Sequence, residues 1–211
     1  MNLLVDGLPD SVEVCGETVP IETDFRTGIL FEEMIQDPTL SNLEKLRTAL
    51  ELYFPDAAFV DAEAAQEALE KLFWFYRCGE DPPKEGAGAG SYTPPSFSYE
   101  YDAEYIYAAF FQAYRVDLAR EALHWWQFRA LFKALPEDTQ IMKIIGYRTV
   151  KLPDKMPKDQ RQFYERMKRQ YALPESKDVQ QLESDLSALL INGGNPAALL
   201  RGDSKPWQTA P

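Results

Sequence analysis

The sequence predicts a mainly α protein: a helical bundle of about seven helices with a small N-terminal β-hairpin. Three observations support this class. Apolar residues recur three and four positions apart in most segments after residue 24. Serine or aspartate precedes several of these segments, where it can cap a helix. Apolar and polar residues alternate before them, in residues 9–22, with the period of a β-strand.

Residues 9–22 are expected to form the hairpin. Two short runs with alternating apolar residues flank Gly16, which can supply the turn. The alternating residues are Val12, Val14, Val19 and Ile21. Pro20 marks the second strand as an edge strand, because proline has no N–H to donate to a neighbour.

Three helices are predicted between residues 24 and 78. Asp24 caps the first, which runs to about Gln36. Ser41 and Glu44 have the spacing of a capping box for the second helix. Asp61 caps the third.

The third helix has an apolar stripe spaced by three and four residues. Its members are Ala65, Leu69, Leu72 and Tyr76. Trp74 and Phe75 lie off this stripe. Either the helix is apolar on two faces, or these two rings meet a partner.

A second helical block is predicted after residue 98. Asp102 opens a helix whose apolar face is Ile106, Ala109, Phe110 and Ala113. Asp117 is expected to cap the next helix, which runs to Leu135. Two more helices are expected, one ending near Gly146 and one covering residues 157–171.

The chain is expected to divide into four segments. Residues 1–78 hold the hairpin and the first helices, and residues 79–98 form a flexible Pro/Gly linker or loop. Residues 99–192 form an aromatic-rich helical region, whose last amphipathic helix follows Pro174. Residues 193–211 are expected to be a loose C-terminal tail.

Composition argues against several classes of protein. The 211 residues carry 34 acidic and 22 basic side chains, a net charge of -12, which disfavours a general nucleic-acid or anionic-membrane binder. One histidine and two cysteines cannot build a histidine-rich metal site or a disulfide framework. The cysteines are expected to be small apolar filler. With no nucleophile or zinc signature, no enzymatic activity, catalytic residue, metal or cofactor is expected.

The chain start shows no signal peptide, and no apolar run approaches the roughly 20 residues of a membrane span. We therefore expect a cytoplasmic protein. Glu121 and His124 have the spacing of half a di-iron helix-bundle site, which needs two such motifs. As the only histidine, His124 is expected to be a core or boundary residue unless a symmetric dimer supplies a second copy.

Charge is distributed unevenly along the chain. Residues 1–104 hold 22 acidic and 6 basic side chains, or -16, whereas residues 141–171 hold 3 and 9, or +6. The acidic part can meet the basic segment of its own chain or that of a neighbouring copy. Aromatic residues interleave the basic ones, which leaves a nucleic-acid surface as an alternative to a solvated helix face.

Eleven aromatic side chains fall between residues 99 and 132. They are Tyr99, Tyr101, Tyr105, Tyr107, Phe110, Phe111, Tyr114, Trp125, Trp126, Phe128 and Phe132. Neighbours in a helix are about 100° apart, so one face cannot hold them all. Part of the cluster is therefore core and part can meet another chain. The candidates for core or partner contact are Trp125, Trp126, Phe128, Phe132, Phe111, Tyr107, Trp74 and Phe75.

Several of these stretches resemble one phage protein family, the gene product fifteen family of tailed phages and prophages of Gram-positive bacteria. The matching stretches are residues 23–26, 105–111, 116–118, 123–131, 135–139 and 144–148. The Leu-His-Trp-Trp sequence at 123–126 is the most specific of them. The resemblance extends from about residue 20 to residue 170.

This resemblance implies a role in building long phage tails. Genes of the family typically lie between those of the major tail protein and the tape-measure protein, where tail assembly chaperones are encoded. We therefore expect a chaperone that binds the tape-measure protein in the host cytoplasm, with self-association or a second tail chaperone as further contacts. The alternatives are a structural tail component retained in the virion and a nucleic-acid-binding regulator that uses residues 143–169.

Overall fold

The computed structural model describes residues 3–59, 61–80, 96–153 and 155–173. Within them lie two strands and seven helices, which confirms the mainly α class with an N-terminal hairpin. The elements are β1 (Ser11–Val14), β2 (Glu17–Pro20), α1 (Phe25–Gln36), α2 (Asn42–Tyr53), α3 (Ala62–Tyr76), α4 (Ala103–Tyr114), α5 (Trp125–Lys133), α6 (Gln140–Thr149) and α7 (Lys158–Gln170). Most of the predicted linker, the last predicted helix and the tail fall outside the described residues.

The described residues group into two compact units. The first contains residues 3–23, 30–59 and 61–80, and the second contains residues 24–29, 96–153 and 155–173. The beginning of α1 therefore belongs to the second unit and the rest of that helix to the first.

The predicted hairpin is confirmed in the first unit. β1 and β2 pair antiparallel with Val14 opposite Glu17, so Cys15 and Gly16 alone form the turn. Both turn residues have positive φ, 51° for Cys15 and 80° for Gly16, as a type I′ turn requires. Cys15 is exposed at this turn, so its prediction as apolar filler is wrong.

A hydrogen bond links the hairpin turn to α3. The backbone N–H of Cys15 donates to the carboxylate of Glu67 at 2.7 Å. This bond lowers the pKa of Glu67, because it stabilises the charged carboxylate. The side chains of Val12 and Val14 are buried, so β1 packs its apolar side into the core of the first unit.

The predicted helix starts in the first unit are confirmed. Ser41 accepts the N–H of Glu44, and the Glu44 carboxylate accepts the N–H of Ser41 at 2.8 Å, which closes the capping box. The Ser41 hydroxyl also donates to the Glu44 carboxylate at 2.6 Å, and this bond, together with the one from the Ser41 N–H, lowers the pKa of Glu44 because both stabilise the charged form. Asp61 accepts the N–H of Ala64 at 2.7 Å and caps α3.

Aromatic rings form the core of the first unit. Phe31 in α1 meets Tyr53 of α2 and Tyr76 of α3 edge to face, with ring centroids 5.4 and 4.9 Å apart. The whole predicted stripe of α3 is buried, and so is Phe75 on another side of the helix. α3 is therefore apolar on more than one face, and Trp74 is half-buried.

The end of α3 is a Schellman motif with an unusual residue. Cys78 has φ 58°, the left-handed conformation that glycine normally occupies. Its N–H donates to the carbonyl of Phe75, and the N–H of Gly79 donates to that of Trp74, both at 2.9 Å. Because Cys78 is partly exposed, its role in the fold is set more by the backbone conformation that ends α3 than by packing of its side chain.

Phe128 lies at the centre of the core of the second unit. Its ring stacks on Phe25 at 4.8 Å and on Phe110 at 5.0 Å, so it joins α1, α4 and α5. Trp125 is also fully buried beside it, with ring centroids 5.9 Å apart. Burial of these large rings contributes to the hydrophobic stabilisation of this unit.

The predicted helix from Asp117 to Leu135 is wrong in its first part. α5 begins only at Trp125, because the carbonyls before it bind the start of α1 instead of continuing a helix. The guanidinium of Arg26 donates to the carbonyls of Leu118 and Glu121, at 2.8 and 3.1 Å. The N–H of Phe25 donates to the carbonyl of Leu123 at 2.9 Å.

A buried ion pair joins α6 to the start of α4. Arg148 and Asp102 make two hydrogen bonds, of 2.5 and 2.9 Å, and only 9% and 2% of their side chains are exposed. Asp102 also accepts the N–H of Ser98, so its side chain makes no capping bond to α4. Predicted to end near Gly146, α6 instead continues to Thr149 and carries Arg148 to this pair.

In the part of the chain that the structure describes, no helix combines the length and the apolar character that a membrane crossing requires.

Candidate functional site

The most exposed aromatic surface of the second unit lies on α4. Four aromatic residues, three in α4 and one just before it, are at least about a third exposed: Phe111 46%, Tyr107 40%, Tyr105 36% and, before the helix, Tyr101 57%. We name this surface the α4 face and define it by the exposed residues Tyr101, Glu104, Tyr105, Tyr107, Ala108, Phe111 and Arg115. Such a concentration of exposed rings is typical of an interaction site.

The opposite side of α4 fixes the orientation of this face. Ile106, Ala109 and Phe110 are buried against the core of the unit. Their spacing of three and one places them on one side of the helix, so the residues between them must point outward. Aromatic residues occur on both sides of α4, but only one side packs against the core. The aromatic residues on the other side therefore remain exposed and form the α4 face.

Two rings of the α4 face are held in place before any partner binds. Tyr107 and Phe111, one helical turn apart, stack with centroids 6.4 Å apart and planes 12° apart. The phenol of Tyr107 donates to the carboxylate of Asp117 at 3.2 Å. This bond raises the pKa of Tyr107. It also restricts the side chain of Tyr107 to one rotamer, which lowers the conformational entropy that a partner must remove on binding.

The two ends of the α4 face carry opposite charges. Glu104 lies in the first turn of α4, and Arg115 follows its last residue. Both are exposed. Arg115 has φ 60°, so the chain leaves the helix at this residue, and its N–H still donates to the carbonyl of Phe111.

The structure separates the candidate aromatic residues into two groups. Five are buried and contribute to the cores of the two units: Trp125, Trp126, Phe128, Phe132 and Phe75. Tyr107 and Phe111 are exposed together on the α4 face, while Trp74 is half-buried elsewhere. Tyr101 and Tyr105 belong to the same face. The spacing of Tyr105, three residues before Ala108, is the signal that groups it, whereas Tyr101 lies just before the helix begins.

The basic segment is partly used for internal bonds. Arg148 pairs with Asp102, and the ammonium of Lys168 donates to the carbonyl of Arg148 at 2.7 Å. Arg161 donates to the carbonyl of Pro153, also at 2.7 Å. Further basic residues of the segment lie at its surface: Lys143, Lys151, Lys155, Lys158, Arg166 and Arg169.

The aromatic residues of the basic segment pack against one another. Tyr147 of α6 meets Phe163 and Tyr164 of α7, and it stacks on Tyr171 at 6.1 Å. Phe163 is 39% exposed and is covered on one side by the guanidinium of Arg166. These rings mainly join α6 to α7, which leaves fewer of them for stacking on bases.

His124 is a helix cap. Its Nδ1 accepts the N–H of Trp126 at 3.0 Å, and its own N–H donates to the side chain of Gln127 at 3.3 Å. Because α5 begins after His124, the side chains of His124 and Glu121 do not lie on one helical face, as half a di-iron site would require. Among the described residues, no group of three or more His, Cys, Asp or Glu side chains is placed to hold a metal ion.

The second unit is thus a small α-helical core that presents an exposed aromatic helix face. The chain belongs to the bacteriophage Gp15 protein family, whose model matches residues 4–173. This match confirms the family resemblance and makes the chain a phage-related protein. Neither a curated protein nor a solved structure matches it.

Proposed function

We propose that this protein is a phage tail assembly chaperone that binds the tape-measure protein in the host cytoplasm during long-tail morphogenesis. The α4 face is the binding surface. The observation that supports this most strongly is the exposed Tyr107–Phe111 pair, which the second unit holds in place without covering it. Membership of a phage protein family supplies the biological setting.

The chemistry of the α4 face suits a helical client. An amphipathic helix presents apolar side chains at intervals of three, four and seven residues. Tyr105, Ala108 and Phe111 repeat at intervals of three residues along α4, and Tyr101 lies just before the helix begins. Two helices can therefore match their apolar side chains over about two turns. We expect a tape-measure helix that is not yet enclosed by the tail tube to expose such a stripe.

Co-expression tests this function directly. The tape-measure protein of the same phage is produced with the wild-type chain or with Phe111→Ala. We expect a soluble complex with the wild type and little or none with Phe111→Ala, whose change removes an exposed ring and leaves the core intact. Phe163→Ala is the matched control, because Phe163 is a similarly exposed aromatic residue on a different helix.

Three outcomes would contradict the proposal. The tape-measure protein stays as insoluble as without the chain, or Phe163→Ala abolishes the complex as completely as Phe111→Ala does. A chain found in stoichiometric amount in purified virions is a structural tail component rather than a chaperone. Thermal unfolding of each variant shows that the comparison is made between folded proteins.

A further inference from the structure

The α4 face has opposite charges at its two ends and apolar side chains between them. Glu104, Ala108 and Phe111 are spaced by four and three residues, so they lie in one stripe along the helix. Arg115, the exposed residue at which the chain leaves the helix, extends this stripe at its C-terminal end. Arg115 follows Glu104 by eleven positions, or about 16 Å along the axis. At that distance the two charges are too far apart to pair with each other.

We propose that a second copy of this chain binds the α4 face, with the two α4 helices antiparallel about a twofold axis. In this arrangement Glu104 of each copy lies opposite Arg115 of the other. Phe111 of each copy then lies opposite Ala108 of the other. The juxtaposition of an acid, a small residue, a ring and a base in this order makes the stripe complementary to itself.

Symmetry favours a second copy as the occupant. A twofold interface needs a surface that complements itself, so that each contact occurs twice. The order of side chains in the stripe meets this condition, because reversing the helix exchanges acid with base and the ring with the small residue. Ala108 leaves room for Phe111 of the other copy, and small residues let helices approach closely.

The size of the stripe sets the strength of the association. A stable interface typically buries about 800 Å² on each partner, and one face of a twelve-residue helix is small by comparison. We therefore expect a reversible dimer with a dissociation constant in the micromolar range, on the order of 1–100 µM.

Such a dimer would regulate the α4 face. This part of the inference rests on the proposed function: the second copy covers the rings of the face until a client helix replaces it. Because client and second copy use the same residues, the chain would bind the tape-measure protein as a monomer. The dimer itself does not depend on the identity of the client.

Sedimentation velocity of the purified full chain over a wide concentration range tests the dimer. We expect the average mass to rise from that of one chain towards that of two. Glu104→Arg and Arg115→Glu should each weaken the association about tenfold, because each places like charges opposite one another at two symmetric positions. The double variant should recover it, because the pairing returns with exchanged partners.

A control variant outside the α4 face shows whether the charge reversals act at the proposed interface. Lys143→Glu changes an exposed basic residue of α6, outside the α4 face, and should leave the association unchanged. A chain that is monomeric at every concentration overturns the proposal, and so does a dimer that is insensitive to both charge reversals or not restored in the double variant. A dimer without any tape-measure complex counts against the proposed function only, and a client complex of a permanently monomeric chain counts against the dimer only.

Discussion

The ring of Trp125 lies against the backbone of Gly28. A Cβ placed on Gly28 would stand 2.6 Å from the ring atoms Cδ2 and Cζ3, closer than real Cβ contacts come. Trp125 is fully buried, and the missing side chain of Gly28 gives its indole the space it needs against α1. The choice of glycine here follows from packing, because Gly28 has an ordinary helical backbone.

Gly28→Ala is expected to destabilise the protein by about 1–3 kcal/mol, because the new methyl group must displace a rigid, fully packed ring. Gly146→Ala is the matched control: that glycine is also helical, and a Cβ there would meet no neighbouring atom within 4 Å. At that position alanine should stabilise by up to about 1 kcal/mol through helix propensity. Chemical denaturation measures both, and equal effects of the two changes would contradict the packing assigned to Trp125.

Breaking the Asp102–Arg148 pair should cost about 3–5 kcal/mol, because it leaves one buried charge without its partner. Asp102→Asn retains an oxygen that can accept the N–H of Ser98, so it isolates the loss of charge. The double variant Asp102→Asn with Arg148→Met should be less destabilised than the sum of the two single changes. Strict additivity in this cycle would show that the two side chains do not interact.

The exposed pair of Arg120 and Asp117 is the control for this cycle. Its N–O distance is 3.6 Å, and 87% of the Arg120 side chain is exposed. Arg120→Met should therefore change the free energy of unfolding by no more than about 0.5 kcal/mol. A loss as large as that of Arg148→Met would mean that burial is not what distinguishes the two pairs.

His124→Ala should destabilise by about 1 kcal/mol, since it removes the acceptor for the N–H of Trp126 at the start of α5. Asparagine is among the preferred capping residues, so His124→Asn should recover most of the loss. Thermal unfolding of the two variants side by side measures the difference. If asparagine is no better than alanine, the imidazole acts here by something other than capping.

Cys78→Gly should stabilise the protein by about 0.5–1 kcal/mol. Glycine relieves the cost of the left-handed conformation, which exceeds the entropy that glycine loses on folding. Cys78→Ala keeps a Cβ at the same φ and controls for the lost thiol, so it should not stabilise. The unfolding midpoints of the two variants distinguish these effects. If both variants are stabilised, the gain comes from loss of the cysteine side chain and not from relief of the backbone conformation.

Local signals in the sequence predict much of this fold. The Ser41–Glu44 capping box and the hairpin around Gly16 depend on neighbours only a few residues apart, and both are confirmed. The burial of Phe75 off the main stripe of α3 agrees with one of the two alternatives that the pattern leaves open. Such features need only the period of the pattern and the chemistry of a cap.

Long-range contacts explain what the sequence did not predict. Asp117 has the chemistry of a helix cap, yet the carbonyls after it bind Arg26 and Phe25, which are more than 90 residues away. Arg148 resembles many other basic surface residues in the sequence, and its partner Asp102 lies 46 residues earlier. Sequence alone also groups Phe111 with Trp125, because hydrophobicity does not say which side of a helix will meet the core.

A photo-crosslinking amino acid at position 111 tests whether the α4 face contacts the tape-measure protein during assembly. It is introduced into the chain in host cells that are assembling phage, with position 163 as the matched site. We expect an adduct with the tape-measure protein from position 111 and little or none from position 163. Adducts at both positions alike, or only with virion tube proteins, would contradict the assignment of the α4 face as a chaperone surface.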